Sequence, residues 1–112
     1  TSEAESMEVT KKMKISTIAT TAPASRPVPA AARATLAEPG NIFFEWSRSL
    51  ETKDEWVLVE AFQDDAAEAH VGSDHFAAAM ESMRPAITET PRVISRTVEG
   101  SGWDEMGELK VD

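Results

Sequence analysis

The chain has 112 residues, no cysteine and a formal net charge of −9. That length suits one domain rather than two, and a domain this small buries only about two-thirds of its unfolded surface. The composition excludes disulfides, thiolate nucleophiles and cysteine-ligated metals, and the acidity disfavours nucleic-acid phosphates and anionic membranes as partners.

Residues 1–7 carry neither a basic segment nor an apolar run, so they do not read as a secretory signal. Residues 1–12 read as a frayed arm or an expression remnant outside the fold. No stretch approaches the ~18 apolar residues of a membrane span, and a cytoplasmic location is expected. Residues 14–21 are rich in β-branched side chains and predict a first strand. Pro23, Pro27 and Pro29 make the next segment a turn, with Pro29 in the first turn of a short helix. Val28, Ala32, Thr35 and Leu36 fall on one face of that helix. It ends before Glu38-Pro39-Gly40, a tight turn.

Residues 41–49 alternate as a strand. Ile42, Phe44 and Trp46 are predicted on one face, and Asn41, Phe43, Glu45 and Ser47 on the other. A polar hairpin connection leads to a strand over 55–62. There Trp56, Leu58, Glu60 and Phe62 alternate with Val57, Val59 and Ala61. Both faces are largely apolar, so both need a cover. Helices supply one; a second subunit supplies the other, and a homodimer is expected.

Asp64 or Asp65 is the predicted cap of a helix reaching about Val71, with Glu68 as capping-box partner. Gly72 interrupts it, and Ser73 caps a second helix through about Arg84, striped by Phe76, Met80 and Met83. Residues 92–98 form the last strand. The order β-α-β-β-α-β over residues 13–99 predicts an α+β, ferredoxin-like fold with a four-stranded antiparallel sheet. Gly100 and Gly102 mark a flexible joint. The tail to Asp112 carries Trp103, Met106, Leu109 and Val111, apolar enough to pack on something, such as the partner subunit.

Four segments are similar to the antibiotic biosynthesis monooxygenase family. They are the turn from Leu36 through Glu38-Pro39-Gly40, the strand ending Ser47-Arg48-Ser49, the strand from Trp56 to Phe62, and the stretch Ala69-His70 to Ser73-Asp74-His75-Phe76. The resemblance implies a dimeric α+β barrel in which two sheets face each other. It implies oxidation of a quinol or polycyclic phenol by molecular oxygen, with no metal, flavin or haem. The short first helix and the long tail depart from the family pattern. The family's haem-degrading branch carries an asparagine on the first strand, a tryptophan at the place of His70 and a histidine at that of Met80, none of which is present.

His70 and His75 are the candidate proton acceptors, since histidine as a residue type titrates near neutrality. A plainer role is a helix-terminal or surface histidine. Glu60, on an apolar strand face, must find a partner or shift its ionisation. It is the candidate that orients the base, or else it bonds Arg48, Arg84 or a helix end. Phe44, Trp46, Trp56, Phe62, Phe76, Met80 and Met83 are candidates to line a pocket for a small aromatic or quinol-like ligand, and equally serve as core. Two histidines with Glu60 resemble an iron triad only in composition, and no metal is expected. The alternatives to oxidation are a non-catalytic ligand-binding dimer, or a sugar-phosphate isomerase using Arg48 or Arg84.

Overall fold

The structure, a computed structural model, describes residues 10–21, 29–63 and 65–112. Four strands form one sheet: β1 (Thr10–Ala19), β2 (Asn41–Arg48), β3 (Glu55–Gln63) and β4 (Arg92–Glu99). Their spatial order is β2-β3-β1-β4 and every pairing is antiparallel. Helix α1 (Pro29–Leu36) joins β1 to β2, and helices α2 (Ala66–Val71) and α3 (Asp74–Met83) join β3 to β4. This is the ferredoxin-like α+β arrangement expected. Among the described residues no helix is long and apolar enough to cross a membrane.

The register decides which side chains meet the helices. Lys14 pairs with Glu60, Ser16 with Leu58, and Ile18 with Trp56. Phe44 pairs with Glu60 and Trp46 with Leu58. Antiparallel partners share a face, so these residues line one side. Ile18, Trp56, Leu58 and Phe62 are buried there, with Ala32 from α1. Thr35 of α1 is also buried, whereas Leu36 is 55% exposed, so the face expected of this helix is narrower. Val28 lies outside the described residues.

The expected parity of β2 fails at its start. Asn41 pairs with Phe62, but Phe43 pairs with Ala61, so a bulge separates them. One extra residue in a strand reverses the alternation on one side of it. Asn41 thus joins the helix side with Phe44, and Phe43 points to the opposite face. The Asn41 side-chain amide donates to the Phe43 carbonyl across the bulge, at 3.2 Å.

Two local predictions also change. Asp65 stands at the N-cap of α2 but makes no side-chain cap bond. Its backbone is helical there, not the extended form that aims a cap oxygen at the first turn. Asp64 lies outside the described residues. The joint at Gly100 is tied down: Lys11, only 4% exposed, donates its Nζ to the carbonyls of Glu99 and Gly102 at 3.3 and 3.2 Å.

Among the described residues, no helix covers the sheet's second face. Ile15 and Ile94 pair across it and are 41% and 58% exposed. Trp103 of the tail stacks on Phe43 at that face, centroids 4.9 Å apart. Met106, Leu109 and Val111 stay exposed.

Candidate active site

The site forms where the turn after α1 meets the break between α2 and α3. In an unbroken helix, His70 and His75 would lie about 140° apart. The helix breaks after Val71. The Gly72 amide donates to the Glu68 carbonyl, and the Ser73 amide to that of His70. Ser73 then starts α3 from an extended backbone, its Oγ accepting from the Phe76 amide at 3.2 Å and donating to the His70 carbonyl at 2.6 Å. One hydroxyl thereby fixes the new helix to the end of the old one. The two imidazoles end with centroids 5.9 Å apart.

Glu38 reaches both of them. Its Oε2 accepts from His70 Nδ1 at 3.0 Å and from His75 Nε2. The turn that places Glu38 depends on Gly40, whose φ is +89°; a Cβ there would stand 2.6 Å from the Ala66 Cβ. No larger residue lets the turn approach the start of α2 so closely. The Gly40 carbonyl also accepts from the Gln63 amide, tying the turn to β3.

His70 is 7% exposed and is held on three further sides. It stacks on Phe62 at 4.7 Å and meets Phe44 and Phe76 edge-on at 5.9 and 5.2 Å. Its second nitrogen, Nε2, stands 3.8 Å from Glu60 Oε1. That oxygen is buried with no hydrogen-bond partner. Burial pushes the Glu60 carboxyl above its ordinary value of 4.5; Lys14 and His70 oppose the rise, and Glu38 adds to it. Donation from Nδ1 to a carboxylate leaves Nε2 as the nitrogen with the lone pair.

His70, His75 and Glu60 converge on one cavity of about 230 Å³, on the helix side of the sheet. Of the proposed ligand contacts, Phe44, Trp46, Phe76, Met80 and Met83 line it. Trp56 and Phe62 do not: Trp56 lies beneath the Arg48 guanidinium at 5.2 Å, and Phe62 backs His70 from the core. Neither Arg48 nor Arg84 lines the cavity; its lysine is Lys14, opposite Glu60 in the register.

Glu38 and Lys14 join the site beyond the residues expected from the sequence. Glu38 belongs to the Glu-Pro-Gly turn, and Lys14 alternates with Ser16 and Ile18 on the helix side of β1. Glu38, His70 and His75 also present three donor atoms within 4.8 Å of one another.

The model of the family described as antibiotic biosynthesis monooxygenase matches residues 24–82. Solved structures share the fold. A Nitrosomonas europaea protein, described provisionally as an antibiotic biosynthesis monooxygenase, is 19% identical, with a TM-score of 0.69 over 80% of this chain and 91% of that one. A Mycobacterium tuberculosis protein is 22% identical, with a TM-score of 0.65 over 77% and 92%. A Caulobacter crescentus protein, described in the same provisional terms as the first, is 20% identical, with a TM-score of 0.59 over 88% and 96%. At these identities the likeness is one of fold. No curated protein matches the chain.

Proposed function

This chain belongs to the antibiotic biosynthesis monooxygenase family, and we propose that it oxidises a small quinol or phenol with molecular oxygen, using His70 as the base. The observation that carries this reading is the Glu38–His70 pair at the wall of an apolar cavity. Glu38 fixes the ring and its tautomer through Nδ1. Nε2 then takes the phenolic proton. The electron-rich phenolate reacts with oxygen directly. Over the whole reaction the substrate loses two hydrogens and gains one oxygen atom, and the other oxygen leaves as water with those hydrogens.

In this reading Glu38 orients the base rather than Glu60, supported by its 3.0 Å contact with Nδ1 against 3.8 Å from Glu60 to Nε2. The raised ionisation of Glu60 suits it to hold a proton near Nε2 or to receive one from the product. Lys14 offers positive charge where the phenolate develops. A cavity of 150 Å³ accommodates benzene, so about 230 Å³ suits one or two fused rings better than a larger polycycle. The isomerase alternative loses support because Arg48 and Arg84 lie off the cavity. We further propose that the chain acts as a cytoplasmic homodimer, its sheets facing through Ile15 and Ile94, with the apolar tail on the partner.

The test is oxygen uptake by the purified chain over a panel of one- and two-ring quinols. Uptake that depends on His70 is expected. No uptake above a His70→Ala control, together with an unreacted ligand bound in the cavity, would replace the enzyme with a ligand-binding protein.

A further inference from the structure

The three donors that meet in the turn have a second chemistry. Glu38 Oε2 comes from the turn after α1, His70 Nδ1 from α2 and His75 Nε2 from α3, and all three lie within 4.8 Å of one another. We propose that they form a binding site for one divalent first-row transition-metal ion, of the zinc or iron(II) class. Two ligands on metal bonds of ~2.1 Å stand about 3.0–3.4 Å apart at octahedral or tetrahedral angles. The 3.0 Å between His70 Nδ1 and Glu38 Oε2 already has that span. Two imidazoles with one carboxylate favour a transition ion over calcium or magnesium, which prefer oxygen ligands.

The surroundings supply an independent argument. A metal-bound imidazole almost always donates its other N–H to a carboxylate or carbonyl, which orients the ring. The other nitrogen of His70 faces Glu60 Oε1 at 3.8 Å. That oxygen is buried and lacks a hydrogen-bond partner. An ion on Nδ1 obliges the ring proton to sit on Nε2, where Glu60 can accept it. The helix-side cavity, lined by both histidines, leaves room for the ion's remaining ligands. His75 is the entry side, with its side chain 26% exposed against 9% for His70.

This goes beyond the oxidation reading and sets a limit on it. The base in that reaction is Nε2 with its lone pair free. Metal on Nδ1 protonates Nε2, so a loaded chain and an active base are alternatives. The site would make the oxidation sensitive to the free metal concentration.

The experiment uses the untagged full chain, stripped with chelator and titrated by calorimetry with zinc, with magnesium as a second titrant and cobalt(II) as a coloured probe. One zinc per chain, a rise in melting temperature, a cobalt absorption displaced by zinc, and no response to magnesium are expected. Glu38→Gln and His75→Gln should each weaken zinc binding by at least the roughly 10–100-fold that loss of an outer partner alone costs. Glu60→Gln should weaken it while keeping one ion per chain. Circular dichroism checks that each variant folds; should one not fold, the others and the cobalt spectrum decide. Zinc binding that is absent, or equally strong in Glu38→Gln and His75→Gln, overturns the site. Oxygen uptake is read on the stripped chain: uptake without zinc binding leaves the oxidation standing and removes the metal, and zinc binding with no uptake by the stripped chain does the reverse.

Discussion

Glu60 keeps a carboxyl among Phe44, Leu58 and His70, where the charged form lacks water. Its folded ionisation is raised, chiefly by burial. Above about pH 4.5 the unfolded chain releases that proton while the folded chain still holds it. The folded state then binds more protons, so stability falls as pH rises, until the folded carboxyl ionises as well. Glu60→Gln removes this loss. Its stability relative to the parent, read by urea unfolding across a pH series, should gain little at about pH 4 and progressively more above it. A gain that shrinks with rising pH would contradict the assignment. In the proposed oxidation His70 is the base. His70→Ala should lower kcat by roughly 10²–10⁴-fold, the usual contribution of a positioned base. Glu38→Gln should lower kcat more than it raises KM, because Glu38 holds the base and not the substrate.

Elements matter here mainly through their ends. The turn before β2 and the break between α2 and α3 meet only because Gly40 adopts a positive φ and carries no Cβ. Gly40→Ala strains the turn and pushes on Ala66, and a loss of about 1–3 kcal/mol is expected from chemical denaturation. The same change should depress activity, since Glu38 and α2 shift together. Ser73→Ala removes both hydroxyl bonds at the helix break, and a cap of this kind is worth about 0.5–2 kcal/mol. The break was legible in Gly72-Ser73 because both residues act locally. The bulge at Asn41–Phe43 was not, since it depends on how β2 registers on β3.

At the scale of the molecule, the proposed dimer rests on the exposed sheet face. Val59 of β3 pairs with Ile15 of β1, which pairs with Ile94 of β4, giving an apolar row across three strands. A facing sheet from a second copy would bury that row. The double change Ile15→Glu and Ile94→Glu should convert a dimer to a monomer in light scattering while circular dichroism stays the same. A parent chain that is already monomeric at micromolar concentration would rule out the facing-sheet dimer. Trp103, stacked on Phe43, ties the start of the tail to the rim of that face. Trp103→Ala should weaken association more than it weakens folding.

The sequence by itself determined the element order and the fold, and it named candidate site residues. Alternation, prolines and glycines, and the break at Gly72 are local signals, each written within a few positions. Family-like segments added the two histidines and Glu60. Only the tertiary structure decided which carboxylate holds which histidine. Glu38 and His75 are 37 residues apart, and nothing in their spacing says that the turn after α1 lies against the start of α3. That contact follows from packing, through a glycine that admits close approach and a broken helix that turns both imidazoles inward. The same packing took Trp56 and Phe62 out of the cavity and put Lys14 in it, because the register of a sheet and the layer a side chain occupies are properties of the assembled fold.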